Sequence, residues 1–361
     1  MKELHEILKK IDSLAPGENA VLATVVDVKG SSYRLPGAKM LILENGDSFG
    51  TVSGGCLEAD VMERAGRVLE TGESQIFTYD TTTNEDSVFS FNMGCRGVIR
   101  ILLETITNNS YVGFLRDHFE NGRGVVATLI NPNNGDTLGE RYFFDEENIR
   151  DASFQNKELL DAGMKVLGSG VSRLETFEFG EVFLEYIAPP VQLKLFGAGA
   201  DAVPLALISK NLGWHVTVID HREALANDLR FENPDQIVHS RPENILSEVI
   251  LNAESIAVVM THNFDHDKEI IKNLFATDVK YIGLLGPKAR TESLLRELKE
   301  SGAEISSDDL KRLHAPIGLD IGGQLPEMIA VAIIAEIQAT IAGRNGGFLR
   351  DRTGSIYDRG S

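Results

Sequence analysis

The sequence predicts an α/β protein in two parts. The first is a duplicated N-terminal domain built on a mixed sheet, and the second is a Rossmann-like, doubly wound domain. Three observations carry that prediction. One set of strand-like and helix-like runs occurs twice between residues 18 and 187. The glycine turn Gly197-Ala198-Gly199 closes an apolar run and opens a helical one. From there to residue 343 strand-like and helix-like runs alternate, as they do in a parallel sheet with crossover helices.

The 361 residues make two or three domains at about 150 residues each. At 42% apolar and 25% charged, the chain can build ordinary buried cores. The net charge of −19 argues against nucleic acid or an anionic membrane surface as partner, since both attract a basic face. No run reaches the ~20 apolar residues of a membrane span. The opening MKELHEILKKIDSL sets charged and apolar residues at helical spacing and lacks the apolar centre of a signal peptide. The cytoplasm is then the expected compartment, where two cysteines are free thiols rather than a bridge.

After that first helix the repeat begins. ENAVLATVVDV (18–28) resembles GRGVVATLINP (122–132), and PGAKMLI (36–42) resembles LGERYFF (138–144). RVLETGES (67–74) resembles KVLGSGVS (165–172), and GVIRILLE (97–104) resembles GEVFLEYI (180–187). Each unit reads helix, strand, strand, helix, strand. The helix LEADVMERAGRVLETG carries apolar residues three and four apart. The units are expected at about 1–106 and 111–189, sharing one mixed sheet in a domain spanning 1–189. A Rossmann-like domain at 191–343 and a polar tail at 344–361 complete the division.

Three motifs occur only in the first copy: GSSYRLPG (30–37), SGGCLE (53–58) and GCRG (94–97). A framework built twice does not need features present once, so these point to function. Both cysteines, Cys56 and Cys95, sit in them. Cys56 follows Gly54 and Gly55 at a helix start, where the dipole favours a thiolate. Arg96 beside Cys95 acts in the same sense, and Arg34 belongs to the same edge. Thiolates near arginines and backbone N–H groups suit a soft metal, sulfur chemistry or an anionic ligand. Small residues filling tight loops are the structural alternative, and two cysteines alone do not make a zinc site.

In the second part, Gly197 permits a tight turn, and Gly199 allows backbone to approach a phosphate at the following helix start. Ala202 takes the third position of the fingerprint. Asp220, closing the strand HVTVID, is placed to hold a ribose diol. This is the pattern of a nucleotide-type site and leaves NAD(P) open as a ligand. The strand ESIAVVM runs on to His262, and YIGLL runs into Gly286; both lie beyond strand carboxyl ends, where such sheets bind ligands. Asp320 lies in the glycine loop HAPIGLDIGG, before the apolar helix of residues 324–342. His262, Asp265, His266 and Asp267 invite a metal reading, but helix capping suits them better.

Together, GSSYRLPGAKMLI, GTVSGGCLEADV, the GC-G loop, LFGAGADAVPLA, TVIDHR, YIGLLGPKAR and APIGLDIGGQLPEMIAVAIIAEI resemble the xanthine dehydrogenase accessory factor family, the XdhC/CoxI type, over roughly residues 10–343. The resemblance implies a cysteine-bearing N-terminal domain and a C-terminal Rossmann domain. It implies an accessory chaperone, rather than an enzyme, that binds molybdenum cofactor (molybdopterin). Such a factor supports sulfuration of the cofactor and its insertion into a molybdenum hydroxylase such as xanthine dehydrogenase. By motif, Cys56 and Cys95 become candidate cofactor, sulfur or molybdenum contacts, and a cysteine desulfurase becomes a candidate partner. Gly197, Gly199 and Asp220 become the nucleotide-like site. Members commonly carry histidine after the first glycines, where this chain has Ala200 and Asp201. The apolar helix 324–342 suggests a homodimer. An NAD(P)-dependent oxidoreductase and a nucleotide-sensing module without chemistry are the rival readings.

Overall fold

The computed structural model describes residues 2–15, 17–80, 97–106, 110–133, 137–145 and 156–353. Its contacts divide the chain into two units that part between Pro189 and Pro190.

The first unit contains the repeat. Helix α1 (Lys2–Asp12) leads into β1 (Ala20–Gly30), β2 (Lys39–Leu43), a short β3 (Ser48–Gly50), α2 (Glu58–Thr71), β4 (Gln75–Asp80) and β5 (Gly97–Ile106). Helix α3 (Ser110–Asn121) opens the same order again: β6 (Gly124–Pro132), β7 (Arg141–Asp145), α4 (Lys157–Ser169), β8 (Arg173–Phe177) and β9 (Gly180–Ile187). The strands pair as β3-β2-β1-β5-β4 and β7-β6-β9-β8, matching orders apart from the short β3, which has no counterpart among the described residues of the second repeat. Even the irregularities repeat. A bulge falls between Val25 and Asp27 of β1 and between Leu129 and Asn131 of β6. Gly37 and Gly139, at φ +95° and +88°, make the same turn into the second strand. Gly72 and Gly170, at φ 72° and 68°, end α2 and α4 in the left-handed conformation that glycine adopts without a Cβ clash.

The single mixed sheet expected from the sequence is not what forms. Each repeat has its own sheet, and every pair in both is antiparallel. One face of each sheet carries its helix: Val61, Ala65 and Val68 of α2 pack on Val21, Ala23 and Ile101, and Leu159, Ala162 and Val166 of α4 pack on Val125, Ala127 and Leu184. The other faces meet each other. Val26 and Leu102 pack with Ile130 and Phe183, and Ala20, Leu22 and Ile106 pack with Val126 and Ile187 beneath α1 and α3. The central strands are therefore covered on both sides, and seven of the first eight residues of β1 are buried. An antiparallel strand buried on both faces loses its alternation and reads like a parallel one.

The second unit is a six-stranded parallel sheet in the order β12-β11-β10-β13-β14-β15. Its strands are β10 (Gln192–Phe196), β11 (His215–Ile219), β12 (Gln236–Val238), β13 (Ser255–Val259), β14 (Tyr281–Leu284) and β15 (Leu313–His314). In chain order this is 3-2-1-4-5-6, the Rossmann arrangement, with its switch point between β10 and β13. Helices α5 (Ala202–Asn211) and α10 (Pro326–Ile341) cover one face. The short α6 (Ile245–Glu248) with α7 (Phe264–Phe275) and α8 (Lys288–Glu300) covers the other, and α9 (Ser307–Arg312) leads into β15. None of the described helices is long and apolar enough to cross a membrane.

Candidate functional site

In the first repeat, the chain leaving β3 turns on one hydroxyl. Ser53 is buried, and its Oγ accepts the N–H groups of Gly55, Cys56 and Leu57 at 3.1–3.2 Å. Its own hydrogen goes to Glu58, the first residue of α2. Burial works against ionisation of Glu58, but the hydrogen bonds from Ser53 and Thr51 outweigh it and hold the carboxyl below its usual range. The result is a fixed turn that carries Cys56 outward. Its Sγ lies 3.6 Å from Ser53 Oγ, and the residue is exposed. Gly55, at φ +102°, has open space where a Cβ would stand.

Two of the single-copy motifs meet here. A Cβ on Gly54 would touch the ring of Tyr33 at 3.3 Å, so the GSSYR loop lies on the Gly-Gly turn. The third motif ends at Gly97, which pairs with Gly30 and whose Cβ would strike Ser31 O at 2.6 Å. Arg34 is engaged with Glu3 of α1 rather than held free. Cys95 and Arg96 lie outside the described residues. In the second repeat the chain between β7 and α4, residues 146–156, contains neither glycine nor cysteine.

In the Rossmann unit, Gly197 takes φ +108°, with its Cβ position 2.6 Å from Met260 O, so only glycine fits where the end of β10 lies against the end of β13. Asp220, expected to hold a ribose diol, is bonded to the protein itself. Its Oδ2 accepts Ala198 N–H at 2.8 Å and Arg222 Nη2 at 2.7 Å, and its Oδ1 accepts Arg222 N–H and Nε, each at 2.9 Å. The side chain is 3% exposed, and both oxygens are committed to the protein. Burial raises its pKa, but these bonds prevail and bring it down to about 2. The space between Gly197, Asp220, Arg222 and Thr261 is only about 20 Å³. That is room for a water, not for the roughly 300 Å³ or more of a small-molecule site.

The larger opening lies on the other side of the switch point. Asp201, His262, Gly286, Arg290, Ile317 and Ile329 are among the residues lining a cleft of about 450 Å³. His262 adopts φ 59°, rare for a residue with a side chain, and its ring covers Gly199 at 3.5 Å from the Cβ position. Its Nε2 meets Asp201 Oδ2 at 3.0 Å. Arg290 pairs with Asp267, which is buried and also receives Thr261 Oγ1 at 2.5 Å. Asn263 caps α7, accepting His266 N–H at 3.1 Å. The His–Asp run thus builds the loop, and no metal-binding group of three such residues occurs among the described residues. Glu336 holds the far wall through His314 at 2.7 Å and the Gly318 N–H. Asp320 is exposed and outside the cleft lining.

The structure gathers Gly54, Gly55 and Cys56 with the GSSYR loop in one place, and His262, which lies against Gly199, with Gly286 at the cleft in the other. Arg290 was legible only as the last residue of the YIGLLGPKAR motif, because its pairing depends on Asp267 in another helix. Ser53 and Glu58 were legible only as members of the SGGCLE motif; a hydroxyl five residues before a carboxylate at a helix start was the available hint.

The family model for the XdhC Rossmann domain matches residues 193–337, and that for the XdhC and CoxI family matches 13–80. A protein of Bacillus subtilis described as a probable xanthine dehydrogenase subunit is 36% identical over 94% of this chain and 98% of its own. The molybdenum cofactor insertion chaperone PaoD of Escherichia coli is 22% identical over 91% of this chain and 85% of its own. A crystal structure of a xanthine dehydrogenase from Bacillus halodurans superposes with TM-score 0.76 at 27% identity, covering 95% of this chain and 97% of that one. Identity of that order along nearly the whole length, with both domain matches in sequence order, places the chain in the XdhC and CoxI family of xanthine dehydrogenase accessory factors.

Proposed function

We propose that this chain is a maturation factor for a molybdenum hydroxylase: it binds molybdenum cofactor, supports its sulfuration and helps insert it into the client enzyme. The names of two relatives, a molybdenum cofactor insertion chaperone and a probable xanthine dehydrogenase component, support the class of role. One structural observation carries the reading for this chain. Cys56 projects from a turn fixed by Ser53, beside the open space at Gly55, and the motif that carries it occurs in only one of two otherwise matched repeats.

The cargo would be an anionic pterin dithiolene bearing a soft metal and a terminal phosphate. The N–H groups of Gly55, Cys56 and Leu57 are taken by Ser53, so an oxyanion finds few donors at that turn. The exposed thiol suits the soft end of the cargo, or sulfur delivered by a cysteine desulfurase. The committed carboxylate of Asp220 and the small space beside it favour this reading over an NAD(P)-dependent oxidoreductase.

The test is co-purification from a cell that makes molybdenum cofactor. The protein is expected to carry molybdenum and a pterin, released as a fluorescent oxidation product, in equal and substantial amounts. Protein free of both, from a cell whose hydroxylases are loaded, contradicts the proposal.

A further inference from the structure

We infer that the cleft between Asp201, His262, Arg290 and Ile329 is a binding site for the aminopyrimidinone edge shared by pterins and guanine. Its position follows from the fold, because ligands of doubly wound sheets lie beyond the strand carboxyl ends at the switch point. Its chemistry differs from that of a dinucleotide site. The ring of His262 stands over Gly199, where a pyrophosphate would approach the backbone. The carboxylate of Asp201 directly precedes α5, where it disfavours a second anion. Phosphate recognition is thus blocked at the turn that gives the fold its signature.

What the cleft offers instead is a lining that combines apolar side chains with Asp201, His262 and Arg290. Leu285, Ile317 and Ile329 are among the lining residues, and about 450 Å³ accommodates a bicyclic heterocycle. A carboxylate accepts two parallel hydrogen bonds, and the ring N–H and exocyclic amine of an aminopyrimidinone present two donors side by side. Asp201 supplies that acceptor pair, held by His262 Nε2 at 3.0 Å. The neighbouring carbonyl of the ligand needs a donor. Arg290 crosses the cleft wall, its Cδ 3.1 Å and its Nε 3.6 Å from the Cβ position of Gly286, anchored through Nη2 on buried Asp267. Gly286, at φ +137°, leaves that path clear of a side chain. Adenine and nicotinamide lack the paired donors, which selects against NAD and ATP.

The inference deepens the cofactor-handling reading above, and the experiment separates the two. Titrations monitored by calorimetry would use pterin-6-carboxylate, GMP, AMP and inorganic phosphate against the full chain. Binding of pterin-6-carboxylate or GMP, with AMP and phosphate at least about tenfold weaker, is expected. Asp201→Asn, which turns one acceptor into a donor, should weaken that binding about tenfold or more at unchanged melting temperature. Ile329→Trp, which fills the space, should do the same by another route. A preference for the pterin assigns the cleft to the cofactor itself, and a preference for GMP assigns it to a guanine nucleotide. AMP binding as tightly as either, no binding of either, or an Asp201→Asn variant indistinguishable from wild type overturns the cleft assignment. Retention of molybdenum cofactor by that variant leaves the maturation role standing, whereas GMP binding by a chain that retains no molybdenum cofactor preserves the cleft and removes the role.

Discussion

Lys39 of the first repeat lies 2.6 Å from Glu185 of the second, with side chains 4% and 5% exposed. The internal symmetry makes this contact twice, because Arg141 stands in the second repeat where Lys39 stands in the first, and it pairs with Glu104. Glu104 pairs across to Leu22 of β1, and Glu185 pairs to Val126 of β6 at the matching position. Tyr111 binds Glu185 at 3.0 Å, and the Arg141 guanidinium lies 3.9 Å from its ring centre. Burial, then the Glu185 charge, keep the Tyr111 phenol protonated. The two sheets are thus registered face to face by reciprocal buried charges within an apolar interface.

Breaking one partner strands the other. Glu185→Gln is expected to cost about 3–5 kcal/mol, because Lys39 stays buried without its counter-charge. The double variant Lys39→Met/Glu185→Leu should cost far less, since it removes both desolvation penalties. Urea unfolding followed by circular dichroism reads both; equal losses for the single and double variants would show that the pair does not act as a unit.

Asp220 makes the stability of the Rossmann unit depend on acid. Its folded pKa, about 2, lies below the ordinary 3.8, so its contribution is complete above the unfolded value and fades as pH falls toward 2. That difference corresponds to about 2 kcal/mol at neutral pH. Asp220→Asn should lower the melting temperature at pH 7 and narrow the gap from wild type at pH 2. A gap that stays constant from pH 7 to pH 2 would place the stabilisation elsewhere.

How far the sequence revealed this structure differs between the halves. The repeat was legible because β1 and β6 share apolar content and their helices end at matching glycines, Gly72 and Gly170. The sheet arrangement was not, because strands covered on both faces lose their alternation. The sequence match of GVIRILLE with GEVFLEYI is also offset by two residues, since Val28 pairs with Ile99 as Pro132 pairs with Gly180. A slip of two keeps every side chain on its face, so the pattern does not reveal it. Gly197 was legible from its turn. The partners of Asp220 and Asp201 were not, because an acid after a strand reads the same whether it meets a ribose, a backbone N–H or a histidine 61 residues away.

Ser53 and Cys56 should separate structure from function. Ser53→Ala leaves three N–H groups and Glu58 without the hydroxyl, and should cost about 1–2 kcal/mol, as loss of a helix cap does. Cys56→Ala removes an exposed sulfur and should leave the unfolding midpoint within about 0.5 kcal/mol of wild type. Cys56 should also react with iodoacetamide in the folded protein, identified by peptide mass. A Cys56→Ala variant that unfolds as readily as Ser53→Ala would make the thiol structural.

The most direct measurement of the central claim is transfer. Protein loaded with molybdenum cofactor is mixed with an apo molybdenum hydroxylase, and recovery of hydroxylase activity is followed for wild type and for Cys56→Ala at matched folding. Activation by the wild type is expected, with at least about a tenfold slower or smaller recovery with the variant. Equal activation by both, or by free cofactor as well as by the loaded wild type, would contradict that claim.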